Sequence, residues 1–275
     1  MKRGEDSRMS SIGSFRDLGV TLEEGNIAVV EIQRPPHNFF DVDLINAIAD
    51  AYEALDEHPE CRAIVLAAQG KNFCAGANFQ GGGGAARDRT GERGSSGGGH
   101  LYRHAVRIFR AKTPVVAAVQ GAAIGGGLGL AVSADFRVTC PEGRFSANFT
   151  RLGFHPGFGL TTTLPELIGH QRAALMFYTG RRVKGEEALE WGLADAIAPL
   201  ERVRDAACEL AREIAASAPL AVVATRETVR GDIAERVTRA TDRELEEQTR
   251  LRATRDWQEG VKAMAERRVP NFVGA

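Results

Sequence analysis

The stretch Val115-Val116-Ala117-Ala118-Val119-Gln120-Gly121-Ala122-Ala123-Ile124-Gly125-Gly126-Gly127-Leu128-Gly129-Leu130 decides the fold of this chain. The apolar run from Val115 to Val119 has the length of a strand buried on both faces. The glycines after it mark a turn, and small residues then open a helix. Amides at such a helix start have no intrahelical acceptor and sit at the positive end of the helix dipole, so the turn suits an anion or a developing oxyanion. The same glycines equally permit close packing of helix on strand without any ligand. Nucleotide loops are excluded by spacing. A G-x-G-x-x-G begun at Gly125 needs glycine where Leu130 stands, and Gly70-Lys71-Asn72 lacks both the preceding glycine and the Ser or Thr of a phosphate loop.

Working outward, the short apolar run Ala63 to Ala68 reads as another buried strand, followed by Lys71-Asn72-Phe73-Cys74-Ala75-Gly76-Ala77-Asn78-Phe79. Small residues at 74 to 77 let a ligand approach the backbone. Val20 to Ile32 is two β-rich runs around Gly25-Asn26, a hairpin pattern. Asp43 is placed to cap a helix through Leu44, Ile45, Ile48, Ala51, Tyr52 and Leu55, with Asp41 beside it. Phe136 to Thr139 is a further strand. Strands alternating with helices predict an α/β fold with parallel pairing. From Gly185 the pattern turns helical, over 186–191, 203–216, 220–229, 234–249 and 256–267. The expected organisation is therefore a disordered N-terminus at 1–14, a mixed core at 15–184, and a helical region at 185–275 that covers the core or docks on a neighbouring subunit. The glycine-rich run from Gly81 to Gly99 reads as a mobile surface loop or as a lid over a site.

Composition sets the outer limits. With 275 residues, 43% of them hydrophobic, the chain can bury a sizeable core. Thirty-five basic against 36 acidic residues leave a net charge of -1, so no global field selects nucleic acid or an anionic membrane. No run reaches the roughly 18 apolar residues of a spanning helix, and the N-terminus has no signal-like apolar segment. A cytoplasmic protein is expected. Cys61, Cys74, Cys140 and Cys208 show no paired spacing, so they read as free thiols and no metal site is expected.

The two glycine turns, with Lys112-Thr113-Pro114, Ser133-Ala134-Asp135-Phe136-Arg137, Leu152-Gly153-Phe154-His155-Pro156-Gly157, Thr179-Gly180-Arg181-Arg182 and Asp256-Trp257-Gln258-Glu259-Gly260-Val261, resemble the enoyl-CoA hydratase/isomerase (crotonase) superfamily. The resemblance runs from about Val20 to Phe272. It implies a crotonase-like ββα spiral core, a C-terminal helical trimerisation region, a homotrimer or dimer of trimers, and an acyl-CoA substrate. Coenzyme A enters as part of that substrate, and no separate cofactor is implied.

By motif, the amides that bind the thioester oxygen fall on Ala75 and Gly126, where one preorganised donor is worth roughly 10²–10³ in rate. Ala77, Gly125, Phe149 and Pro156 fall along the substrate, and Arg34, Arg267 and Arg268 are placed to meet the phosphates of CoA. Relatives that hydrate enoyl-CoA carry a glutamate two residues after the triple glycine and another about twenty residues later. Here Gly129 and Phe149 stand there, and neither transfers a proton. The dehalogenase branch of the family has its aspartate where Gly157 stands. His155 is a proton-transfer candidate because imidazole changes charge near neutrality, though a histidine before Pro-Gly also serves simply to fix a turn. Asn148 is a candidate for orienting substrate or water, or else a structural polar group. Two readings remain: an acyl-CoA enzyme performing isomerisation, hydrolysis or carbon–carbon cleavage, and an acyl-CoA-binding protein without turnover.

Overall fold

The computed structural model describes residues 12–77 and 101–275. The expectations for the N-terminal residues and for the glycine-rich lid fall largely or wholly outside that range.

The hairpin forms as read. β1 (Leu18–Glu23) pairs antiparallel with β2 (Ile27–Ile32), and the connecting Gly25 and Asn26 both take positive φ, 88° and 61°. β2 then pairs in parallel with β3 (Ala63–Ala68), β3 with β4 (Val115–Val119), β4 with β6 (Phe136–Thr139) and β6 with β9 (Ala196–Ile197). The result is a six-stranded sheet of order β1-β2-β3-β4-β6-β9.

Side chains of the central strands alternate between two cores, as a period of two demands. Ala28, Val30, Ile64, Leu66, Val115 and Ala117 face one cluster, with α1 (Val42–Asp56) and α2 (Leu101–Phe109) against it. Ile27, Val29, Val65, Val116 and Ala118 face the other, covered by α7 (Val203–Ala215). Ala207, Ala211 and Ala215, four residues apart, bring α7 close to the sheet. With both faces covered, the strands read as continuous apolar runs.

A second, three-stranded sheet joins β5 (Ala122–Ile124), β7 (Arg144–Ser146) and β8 (Val183–Lys184). Each turn of the chain places one strand in the large sheet, a short piece in the small one, and then a helix. β4 leads to β5 and α3 (Gly126–Ser133); β6 leads to β7, then α4 (Leu160–Ile168) and α5 (His170–Thr179). β3 is followed by Cys74, which makes a parallel bridge to Ala123 and extends the small row. This is the ββα spiral, and it sets the 74–77 turn beside the 125–127 turn.

The structure corrects some local expectations. Asp41, not Asp43, caps α1, its Oδ1 accepting from the Leu44 amide at 2.9 Å. The helical stretches after 185 appear as α6 (Gly185–Trp191), α7, α8 (Pro219–Arg230), α9 (Ile233–Leu251) and α10 (Arg255–Ala265), but this region also donates β9 to the large sheet. β5, β7 and β8 are too short to show periodicity. α4 escapes the pattern because Thr161-Thr162-Thr163 and Pro165 are poor helix formers.

The Ser133–Arg137 motif is architectural. The Asp135 carboxylate accepts from the Val115 amide at 2.8 Å, from Arg226 at 2.9 and 3.0 Å and from Arg230 at 2.8 Å, tying α8 to the sheet. Burial pushes its pKa up, but Arg226, Arg230 and the amide outweigh burial and hold it below the ordinary carboxylate value. Arg137, 2% exposed, donates to the carbonyls of Leu193, Ala134 and Asp135 and to Asp195.

Candidate active site

The two glycine turns lie against each other, and their amides can be accounted for one by one. The Cys74 amide donates to Ala122 O at 2.9 Å, and Cys74 O accepts from the Ile124 amide at 3.0 Å. On the other side, the Ala75 amide donates to His37 O at 2.9 Å, while Gly76 O accepts from the Phe40 amide at 3.1 Å. The Gly76 amide lies near the Cys74 sulfur, a thiol that burial pushes up to about 12, and has no hydrogen-bond acceptor among the described residues. The Ala77 amide likewise has no acceptor among the described residues.

Across from it, the Gly125 amide donates to Ser146 O at 2.8 Å. Gly126 and Gly127 begin α3, and their amides have no backbone acceptor among the described residues, as the start of a helix dictates. Gly76 needs its positive φ of 83° for the turn and its missing side chain for the approach, since a Cβ there would sit 2.7 Å from Ile124 O and 3.8 Å from Gly126 N. The Ala75 expectation is therefore corrected: that amide is consumed by His37. Among the described residues, the amides of the two turns without an acceptor are those of Gly76, Ala77, Gly126 and Gly127.

The surroundings of these donors are aromatic. A Cβ at Gly126 would lie 2.2 Å from the Phe40 ring, and one at Gly129 would lie 2.7 Å from Phe158. Phe158 is fully buried with φ 64° and stacks obliquely near Phe40, Phe109 and Tyr102. Position 129 is thus a packing contact with no room for a side chain. Phe149 is buried, its ring 5.4 Å from Phe154, and its Cζ lies 3.8 Å from where a Gly125 Cβ would be. Asn148 Oδ1 lies 3.4 Å from the same point. Asn148 and Phe149 therefore lie beside Gly125, and Gly76 brings the first turn against Gly126.

His155 and Pro156 sit on the loop between Gly153 and Gly159. His155 Nδ1 is 2.8 Å from the Pro156 carbonyl oxygen. A carbonyl only accepts, so this contact places the proton on Nδ1 and leaves Nε2 as the basic nitrogen. The imidazole lies in electrostatic reach of Glu244 and Glu247 of α9. Glu244 is fully buried; burial raises its pKa, against the pull of Thr161, the Gly159 amide and His155.

The basic residues assigned to phosphates are not gathered at the turns. Arg34 is committed to Asp17 at 2.7 Å, to Asp41 at 2.9 Å and to Phe39 O, so its guanidinium serves the fold. Arg268 is held by Glu259 and Glu266, and Arg267 is exposed on the C-terminal segment. Residues that the motifs passed over are Phe40, Phe158, Glu244 and Gln248. Tyr102 and Gln248 carried only a helical-face signal, and nothing in the sequence tied Phe40 or Glu244 to the turns. Among the described residues no group of three or more His, Cys, Asp and Glu could hold a metal, and no helix is long and apolar enough to cross a membrane.

A parallel ββα spiral whose successive glycine turns bring amides together defines a crotonase-type protein. The enoyl-CoA hydratase/isomerase family profile matches residues 23–275, and the chain belongs to that family. Carnitinyl-CoA dehydratase of Salmonella enteritidis PT4 is 33% identical over 255 residues, covering 91% of this chain and 96% of the relative. Among solved structures, carnitinyl-CoA hydratase from Mycobacterium avium superposes with a TM-score of 0.82 at 29% identity, over 95% of this chain and 100% of that one. An enoyl-CoA hydratase/isomerase from Pseudoalteromonas atlantica T6c gives 0.82 at 28% identity, over 94% and 100%.

Proposed function

We propose that the chain binds an acyl-CoA thioester with its carbonyl oxygen between the amides of Ala77 and Gly126, and turns it over through an enolate or tetrahedral oxyanion. The observation that carries this reading is the hydrogen-bond accounting: Cys74, Ala75 and Gly125 spend their amides within the protein, and those of Ala77 and Gly126 meet no acceptor among the described residues. Donors fixed by the fold need no reorganisation when charge develops on the oxygen, which is how such a pair lowers a barrier. Loss of the α-proton puts charge on that oxygen as an enolate, and addition of water to the thioester carbon does so as a tetrahedral oxyanion.

The proton-transfer group is not a carboxylate at 129 or 149. Gly129 is closed off by Phe158, and Phe149 is apolar and buried. His155, with Nε2 basic, is the remaining candidate on the loop that supplies Phe158, and Asn148 would orient a substrate oxygen or a water, a reading its nearness to Gly125 supports. The closed position 129 also favours a second reading, thioester binding without turnover. We further propose a cytoplasmic protein assembled as a trimer or dimer of trimers. The helical region and the family's habit support this.

The test is a panel of enoyl-, 3-hydroxyacyl-, 3-oxoacyl- and carnitinyl-CoA thioesters with product analysis. The proposal expects turnover of at least one class, abolished by His155→Ala. Micromolar binding with no turnover of any class, together with hydration gained on Gly129→Glu, Phe149→Glu and Phe158→Ala combined, establishes the second reading. The third substitution is required because Glu at 129 alone collides with Phe158, an overpacking worth about 1–3 kcal/mol.

A further inference from the structure

α9 presents two faces of different character. Val237, Thr241, Glu244 and Gln248 recur at helical spacing and are 0%, 2%, 0% and 0% exposed, while Arg239, Arg243 and Glu246 point to solvent. A buried glutamate and glutamine on one stripe are costly unless each meets a partner, and both find partners on the 155–161 loop, while Thr241 bonds Thr238 O within the helix.

Glu244 accepts from the Gly159 amide at 2.8 Å, the Thr161 amide at 3.1 Å and Thr161 Oγ1 at 2.6 Å, so its carboxylate closes the N-terminus of α4 from another helix. One turn further along α9, Gln248 Nε2 donates to His155 O at 2.8 Å and to the Tyr102 hydroxyl at 3.0 Å. Val237 fills the space at Gly159, where a Cβ would lie 2.7 Å from its Cγ1. Between these holds lies Phe158, with its positive φ and buried ring against Gly129, and Gly157 against the Tyr102 hydroxyl. A non-glycine residue in that backbone region persists only where its surroundings over-determine it.

We infer that Glu244 and Gln248 are positioning residues. They clamp the 155–161 loop so that Phe158 closes the space over Gly129 and the loop shapes the end of the cleft that receives the acyl group. The CoA moiety is not read by them. The inference rests on the acyl-CoA reading above, and its consequence is selective. Loosening the clamp changes recognition of the acyl chain and the kcat of the reaction, and leaves recognition of CoA intact.

The experiment is calorimetric titration of the full chain with free CoA and with a non-cleavable thioether analogue of a medium-chain acyl-CoA. Gln248→Glu keeps the volume and loses the donor, and Glu244→Gln keeps the shape and opposes a donor to a donor. Arg239→Gln, on the exposed face, is the control. Wild type is expected to bind the thioether more tightly than CoA. Each clamp variant should lose about ten-fold for the thioether and less than two-fold for CoA, with kcat reduced and the preference among acyl lengths altered, and Arg239→Gln should match wild type. Equal losses for both ligands, or no loss for either in a folded variant, overturns the clamp. Wild type binding the thioether no better than CoA overturns the acyl-CoA reading itself.

Discussion

Two segments of this chain are equally conspicuous as sequence: the turns around Gly76 and Gly126, and the Ser133–Arg137 motif between them and the rest of the core. In the folded protein they differ in one respect. At Asp135 and Arg137 the amide, guanidinium and carboxylate groups converge on partners inside the protein, and only the Nε of the adjoining Arg230 is buried without one among the described residues. At the glycine turns the amides of Cys74, Ala75 and Gly125 find acceptors, whereas those of Ala77 and Gly126 meet none among the described residues. A motif visible in sequence is therefore structural or functional according to whether its donors are already spent.

The contrast breaks most easily at the saturated end. Asp135→Ala strands Arg226, Arg230 and the Val115 amide, and removing one partner of a buried ion pair costs about 3–5 kcal/mol. Urea unfolding should show that loss, while the folded fraction keeps its affinity for acyl-CoA. Because the Asp135 pKa is held below its unfolded value, its contribution to stability is present above the ordinary carboxylate range and disappears as pH falls through the folded value. The difference between wild type and Asp135→Ala should shrink on acidification.

A smaller effect tests a residue that sequence placed on the wrong side of the comparison. Arg34→Gln removes a partly exposed cation already shared by Asp17 and Asp41. A stability change of about 1 kcal/mol or less is expected, with free-CoA affinity within two-fold of wild type by calorimetry. A ten-fold loss of CoA affinity would return Arg34 to the phosphate-binding role that its sequence position first indicated.

Much of the architecture was legible because it rests on periodicity. The apolar runs at 63–68, 115–119 and 136–139 became strands with those bounds, and the helical spacing after 185 became α6 to α10. Family motifs carried the spiral and the pairing of the two glycine turns. What was not legible depends on contacts distant in sequence. The Ala75 amide is spent on His37 and Gly129 is closed by Phe158. Glu244 reaches across 85 residues to the Gly159 amide. No local pattern announces that the amide at 75 rather than the one at 77 finds an acceptor, because that acceptor comes from the segment around His37.

The most direct measurement replaces single amides by esters, introducing L-lactic acid in place of alanine at 77 and, separately, at 75. Each change deletes one N–H and little else. The account predicts that the ester at 77 lowers kcat/KM by roughly 10²–10³, the value of one preorganised oxyanion donor, with stability unchanged. The ester at 75 should cost about 1 kcal/mol of stability, as for an ordinary lost hydrogen bond, and leave the activity of the folded protein within a few-fold. The reverse pattern, activity lost at 75 and kept at 77, would contradict it.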